Sequence, residues 1–175
     1  VSNQPNSTPV AKYLNALGEG KNLNDVLVDL ARDIEAASPV PLYASILLLD
    51  ASGRKLFRGA APSLPESYSR EIDGIEVGPN VGSCGTAVYC GHSIYVCDIE
   101  RDELWASFKE LASKNGLKAC WSVPITSSTD QILGTFALYY SEVRNPILEE
   151  RKFIEDCART AAILIEESTQ SLRTA

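Results

Sequence analysis

Histidine is almost missing from this 175-residue chain, which carries only His92. A two-histidine metal site and a bis-histidine haem are thereby excluded, and His92 alone remains as an axial ligand for haem. The five cysteines, Cys84, Cys90, Cys97, Cys120 and Cys157, include no Cys-x-x-Cys pair, so they do not read as a zinc site. They are odd in number and scattered, which suits a reducing compartment better than a disulfide framework. Basic residues are also short: 16 Lys and Arg against 23 Asp and Glu leave a net charge of −7 and a pI near 4.8. A phosphate-backbone binder needs the opposite balance, and an acidic surface avoids anionic membranes.

No run approaches the roughly 20 consecutive apolar residues that a membrane helix needs. The start, Val1 to Pro9, is polar and holds prolines, unlike a secretory signal. A soluble, cytoplasmic protein is expected. The Asn6-Ser7-Thr8 triplet matches a glycosylation acceptor, a pattern without meaning in that compartment. There is no internal repeat and no low-complexity segment.

What the chain does have is 45% apolar and 22% charged residues, enough for the core of one domain. Apolar residues recur at helical spacing in Val10 to Leu17 and in Leu23 to Ala37, with Asn22 or Asn24 as cap. Pro39 and Pro41 stop the second helix. Leu42 to Leu49 and Lys55 to Ala61 read as a hairpin around the turn Asp50-Ala51-Ser52-Gly53. Pro62 to Ile72 is a polar connection that admits a helix, and a Gly-rich stretch, Gly78 to Thr86, leads into a short helix at Gly85 to Tyr89.

Ile94 to Cys97 is a short strand, and Asp102 to Asn115 has helical periodicity that ends at Gly116. Two strands follow, Leu117 to Ile125 and Ile132 to Tyr140. A long helix runs from Pro146, placed in its first turn, to about Ser168. This order predicts an α+β fold: a central antiparallel sheet with N- and C-terminal helices on one face, and loops and short helices covering a ligand pocket on the other. The boundaries are residues 1–9 as linker, 10–168 as domain and 169–175 as a second linker.

Four segments carry a family resemblance: Val81-Gly-Ser-Cys-Gly-Thr-Ala-Val-Tyr-Cys-Gly, Ile94-Tyr-Val-Cys-Asp98-Ile, Cys120-Trp-Ser-Val-Pro124-Ile and Ile132-Leu-Gly134-Thr-Phe-Ala-Leu-Tyr-Tyr. The chain resembles a GAF domain over roughly Leu23 to Glu167. The resemblance implies a sensory, non-enzymatic domain that holds a small molecule and regulates an attached or partner output. Such outputs are histidine kinases of two-component systems, diguanylate cyclases and transcription activators. It does not name the ligand, because GAF domains hold cyclic nucleotides, haem, bilins, anions and metabolites. Cys90-Gly91-His92 is not the Cys-His pair of bilin carriers, and the asparagine-lysine-phenylalanine-aspartate-glutamate signature of cyclic-nucleotide binders is absent. No cofactor is assigned.

Strand alternation gives an independent view of the site. Trp121, Val123 and Ile125, with Phe136, Leu138 and Tyr140, form a bulky face suited to the terminal helices. Cys120, Ser122, Thr135, Ala137 and Tyr139 form a smaller, more polar face. That face either holds a ligand or merely admits the middle helix. The helix starting at Gly85 and Thr86 would turn free N–H groups toward an anion or an electron-rich atom, or Ser83 and Thr86 simply cap it. No Gly-Lys-Ser/Thr follows, so this is not a nucleotide P-loop. Asp98 either bonds a ligand or fixes its turn, and Trp105 either joins the core or closes a lid. The candidate binding residues are therefore Cys84, Gly85, Thr86, Asp98, Trp105, Cys120, Ser122, Thr135, Ala137 and Tyr139.

Two other functions compete. Free methionine-R-sulfoxide reductase shares the Gly-x-Cys-Gly-Thr-Ala turn, and Cys84 with Cys120 or Cys97 would supply its thiols. Against it, Ile99 to Ala119 lacks that family's reactive cysteine loop, and the acidic residues expected on the last strands are Cys120, Ala137 and Tyr139. A purely dimerising module is the other alternative. Ile147, Ile154, Cys157, Ala161 and Leu164 form a stripe that predicts a homodimer through the terminal helices.

Overall fold

The computed structural model describes residues 10–174; the segment 1–9, read as a linker, and its Asn6-Ser7-Thr8 triplet lie outside them. Helices α1 (Val10–Gly18) and α2 (Leu23–Ala37) open the fold. Of the two asparagines, Asn22 caps α2, its side chain accepting from the Asp25 N–H at 2.9 Å. Strands β1 (Tyr43–Leu49) and β2 (Lys55–Ala60) form the expected hairpin. Asp50 Oδ1 holds its turn by accepting from the Arg54 and Lys55 N–H groups, each at 3.0 Å.

Helix α3 (Glu66–Ile72) and a two-residue strand β3 (Ile75–Glu76) follow. The sequence carried no strand signal at β3, which is too short for alternation to be read. Next come α4 (Gly82–Cys90) and β4 (Ile94–Val96). The periodic segment Asp102 to Asn115 is not one helix. It splits into a 3₁₀ turn at Glu103–Trp105 and a short α5 at Lys109–Lys114. Asp102 caps the first piece through the Leu104 N–H at 2.9 Å, and Trp105 turns inward there. Spacing of Leu104, Trp105, Phe108 and Leu111 fits both arrangements, so periodicity could not separate them.

Strands β5 (Ala119–Thr126) and β6 (Ile132–Tyr140) complete one six-stranded sheet in the order β3-β2-β1-β6-β5-β4, antiparallel throughout. Helix α6 runs Leu148–Thr174, six residues beyond the expected end at Ser168, so helix occupies most of the segment read as a C-terminal linker. Pro146 precedes α6 instead of lying in its first turn. The helix is capped from within, Glu150 Oε2 accepting from the Ile147 N–H at 2.9 Å.

The two sheet faces separate as alternation requires. Trp121, Val123, Ile125, Phe136, Leu138 and Tyr140 pack with α1, α2 and α6 into one buried cluster. Cys120, Ala137, Tyr139 and Leu47 belong to a second cluster with α3, α4 and the 3₁₀ turn. The apolar stripe assigned to dimerisation is consumed inside the domain. Ile154, Cys157, Ala161 and Leu164 are buried in the first cluster, while Ile147, ahead of the helix, is 60% exposed. A single stripe reads alike whether it meets a sheet or a partner.

Gly134 marks the tightest point of the sheet. A Cβ placed there would stand 2.0 Å from the Leu47 carbonyl oxygen of β1. Because this is backbone in the centre of the sheet, it cannot rotate aside. Gly134→Ala is expected to cost more than about 3 kcal/mol, at the upper end of single-residue effects, measured by urea unfolding. A loss below about 1 kcal/mol would show that the β1–β6 contact is slack.

Candidate functional site

A small, partly open cavity lies on the second face of the sheet. It measures about 20 Å³, room for a water molecule, and is lined by residues that include Leu47, Tyr68, Ile72, Gly82 to Gly85, Trp105, Phe108 and Tyr139. Its floor is β1 and β6, α4 forms one wall, and α3 with the 3₁₀ turn covers it. Tyr68 of α3 meets Tyr139 of β6 edge to face, the ring centroids 5.5 Å apart, and donates to its hydroxyl at 3.2 Å.

Ser83 is the junction of three elements. Its hydroxyl accepts from Trp105 Nε1 at 3.1 Å and donates to the Cys120 carbonyl at 2.8 Å. The indole is thus tied to α4, and α4 to β5. Gly82 has φ +57°, a conformation that favours glycine, and a Cβ there would meet the Trp105 ring at 3.4 Å. At Gly85 a Cβ would fall 2.7 Å from the Val81 side chain. Gly85 is therefore required by packing and Gly82 by its backbone conformation.

Of the ten candidate residues, the structure brings Cys84, Gly85, Trp105 and Tyr139 to the cavity. Cys120, Ser122, Thr135 and Ala137 do not line it; all four are fully buried, and Cys84 of α4 lies against Cys120, Ser122 and Thr135. The small face therefore admits the middle helix, with the cavity beside that contact, toward β1. Thr86 turns away, its Oγ1 accepting from the Val81 N–H at 3.1 Å. The helix begins at Gly82, three residues before the expected start, so its free N–H groups belong to Gly82, Ser83 and Cys84. All three residues line the cavity, whose exposed lining is almost wholly apolar.

Asp98 lies outside it, in a separate surface groove of about 280 Å³, where its carboxylate meets Arg101 at 3.5 Å and fixes the turn. His92 is exposed, and its Nδ1 contacts the Ser93 carbonyl at 3.2 Å, away from the cavity. Leu47, Tyr68, Ile72, Ser83 and Phe108 were not anticipated as site residues. Only Tyr68 and Ile72 carried a signal, as an i, i+4 apolar pair in an otherwise polar connection.

Cys84 and Cys120 are neighbours, and Cys84 Sγ lies 3.8 Å from the Tyr139 hydroxyl, whereas Cys97 lies on the loop after β4 and bonds the Tyr95 carbonyl at 3.6 Å. Hydrogen bonding from Cys120, then from Ser122, Tyr139 and Thr135, lowers Cys84 from 9.0 to about 7 against its burial. Its position in the first turn of α4 acts in the same direction. Burial, together with the neighbouring Cys84, pushes Cys120 well up. Burial does the same to Tyr68 and Tyr139. Cys84 is thus the group of this cluster that ionises first. Among the described residues, no group of His, Cys, Asp and Glu is arranged to hold a metal ion.

The sequence model of a family described as GAF domain matches residues 21–166. The methyl sulfide methyltransferase-associated sensor of Methanosarcina acetivorans is 41% identical over 155 residues, covering 89% of this chain but only 15% of that protein. Two solved structures share the fold. The GAF domain of an Acinetobacter phosphoenolpyruvate-protein phosphotransferase superposes with a TM-score of 0.73 at 13% identity, covering 99% of both chains. Free methionine-R-sulfoxide reductase from Neisseria meningitidis, in complex with its substrate, gives 0.70 at 14% identity, covering 93% of this chain and 89% of that one.

Thiolate absorbance at 240 nm, taken as the difference between wild type and Cys84→Ser, is expected to rise with a midpoint near pH 7. Because the folded pKa lies below the unfolded one, stabilisation from this group grows as pH rises from about 7 to 9 and is lost as pH falls through 7. Cys120→Ala removes the largest of these hydrogen bonds and should move the midpoint upward. An unchanged midpoint would show that Cys120 does not set it.

Proposed function

The chain belongs to the GAF domain family, and we propose that it is a sensory, regulatory GAF domain that binds a small molecule in the α3–α4 cavity and controls an attached or partner signalling output. The observation that carries this reading is the cavity itself. It is lined by aromatic rings and by the first residues of α4, and two short helical segments flank it. The similarity to a protein named as a sensor supports the sensory role, and the small share of that protein that is matched leaves room for an output domain in the relative. A histidine kinase, diguanylate cyclase or transcription activator is the proposed output.

The setting is proposed to be cytoplasmic, without contact with nucleic acid or membrane. The net charge of −7 supports the former. Among the described residues no helix is long and apolar enough to cross a membrane. A homodimer through the terminal helices is proposed on different residues from the stripe above. Beyond Leu164, the last buried position, α6 continues for about 15 Å at 1.5 Å per residue and presents Leu172, which is 80% exposed. Ile163 is exposed one residue before Leu164.

A reductase reading draws support from the contact of Cys84 with Cys120. Against it stands the lack of any acidic side chain among the residues lining the cavity to grip an amino group. Catalysis is therefore not proposed. The purified domain is expected to leave methionine-R-sulfoxide unreduced when supplied with thioredoxin; turnover abolished by Cys84→Ser would reverse this.

Native mass spectrometry of protein purified from its own cells should show a small retained mass that is released on unfolding. Ile72→Trp fills the cavity from the α3 side and should release that mass while far-UV circular dichroism stays unchanged. A chain that never carries an adduct, from any growth condition or lysate, would remove the sensory reading. Light scattering at micromolar concentration should give a dimer that Leu172→Glu weakens; a monomer with α6 intact would count against the proposed pairing.

A further inference from the structure

The sensory reading leaves two thiols unused. Cys84, in the first turn of α4, and Cys120, on β5, are both free and buried, and they are neighbours. The fold fixes that neighbourhood from two directions. The Ser83 hydroxyl, one residue before Cys84, donates to the Cys120 carbonyl at 2.8 Å. Cys84 Sγ lies 3.8 Å from the Tyr139 hydroxyl, and Tyr139 is the cross-strand partner of Cys120 in the β5–β6 register. The other three cysteines stand apart. Cys157 is buried on the opposite face of the sheet, Cys97 bonds the Tyr95 carbonyl after β4, and Cys90 is exposed at the far end of α4.

Unequal surroundings divide the chemistry between the two. Hydrogen bonding from Cys120 outweighs burial and lowers Cys84 from 9.0 to about 7, so a large share of it is thiolate at neutral pH. Burial pushes Cys120 well up and keeps it a thiol. Two-step oxidation asks for this division, because the first sulfur must attack the oxidant and the second must wait for the intermediate. The titratable groups packed about the pair are Tyr68 of α3 and Tyr139 of β6, both kept neutral by burial. The remaining partners of Cys84, Ser122 and Thr135, are hydroxyls.

Access selects the oxidant. Cys84 keeps 7% of its surface exposed and Cys120 none, so Cys84 meets a small solute first. Cys84 and Tyr139 both line the cavity, which is partly open and has room for about one water molecule. Hydrogen peroxide, one oxygen larger than water, comes nearest to that size, and an organic hydroperoxide with an aromatic ring far exceeds it. Peroxide needs no carboxylate to grip it, so the missing acidic side chain that weighs against sulfoxide reduction has no bearing here. The segment between the two cysteines holds β4, the 3₁₀ turn and α5. A bond between its ends would close the covering turn into a loop tied to the sheet.

We propose that Cys84 and Cys120 are a reversible, peroxide-driven dithiol–disulfide pair that staples α4 to β5. The Cys84 thiolate attacks one oxygen of hydrogen peroxide and the O–O bond breaks. Cys84 becomes a sulfenic acid, and the hydroxide released takes up a proton to leave as water. Cys120 Sγ then attacks Cys84 Sγ, the S–O bond breaks, and the departing oxygen carries off the Cys120 proton in a second water. The two thiols together lose two electrons, and the peroxide gains them. An external dithiol reverses the bond by exchange. No ligand in the cavity is needed for this chemistry, so it stands or falls apart from the sensory reading.

The reduced domain is treated with equimolar hydrogen peroxide, unfolded in N-ethylmaleimide and weighed by mass spectrometry. It should lose the mass of two hydrogens and keep three of its five thiols open to alkylation, with peptide mapping joining Cys84 to Cys120. Dithiothreitol should restore all five. The rate should rise with pH about a midpoint near 7, and cumene hydroperoxide should react at least about tenfold more slowly. Cys120→Ala should stop at a Cys84 sulfenic acid that dimedone labels, and Cys84→Ser should leave Cys120 unoxidised. Should either variant fail to fold, the wild-type map decides the pairing by itself. Cys84 and Cys120 still alkylated after peroxide has consumed exposed Cys90, or a bridge to any other cysteine, would overturn the pair. Equal rates with the two peroxides would overturn entry through the cavity.

Discussion

Helix α4 rests on β5 and β6 through a strip of small side chains, and the cavity side of the domain is arranged around that contact. Cys120, Ser122, Thr135 and Ala137 are small enough for a helix to lie close, and Cys84 reaches three of them. From this seat Ser83 can bond the Cys120 carbonyl and hold the Trp105 indole in one motion of the chain. Exchange of any strip residue for a large one lifts α4, and with it the anchor of the 3₁₀ turn that covers the cavity. The glycines belong to the same constraint, Gly85 because a Cβ there would strike Val81 and Gly82 because its backbone lies at φ +57°. A Gly-rich corner here serves the fold first, setting where the helix must start.

Much of this was legible in the sequence. Alternation along Cys120 to Ile125 and Thr135 to Tyr140 separated the two faces correctly, because β side chains have a fixed period of two and both strands are long. It could not tell a helix seat from a ligand floor. Both ask for small residues, and only the third dimension says which neighbour fills the space. Thr86 was misread for a related reason: the helix starts at Gly82, and a glycine with φ +57° leaves no trace in a pattern of apolar residues. Tyr68 was missed because its significance is relational: it needs Tyr139 across 71 positions of sequence.

The same strands serve a second helix from their other side. Trp121 and Tyr140, one residue from Cys120 and Tyr139, pack beneath the start of α6, where Arg144 stacks over both rings at 6.0 and 5.3 Å. Trp121 Nε1 donates to the Arg144 carbonyl at 3.1 Å, and the Arg144 guanidinium bonds Glu150 at 2.6 Å. Glu150 in turn caps α6 through the Ile147 N–H. A chain of direct contacts thus runs from α4 through adjacent residues of β5 and β6 to the cap of α6.

Close-packed interiors pass displacement on instead of absorbing it, and here a single layer of strand separates the two helices. A shift in the seat of α4 reaches α6 through Cys120 and Trp121 on one strand and through Tyr139 and Tyr140 on the other. The final turns of α6 lie beyond the buried part of the sheet, so a change of angle at its cap is enlarged along a helix of about 40 Å. Of the covering segments, α3 meets this route at one point, the Tyr68–Tyr139 pair, and the 3₁₀ turn meets it through Ser83 of α4. Position on the sheet, more than proximity to the cavity, couples α4 to the C-terminal helix.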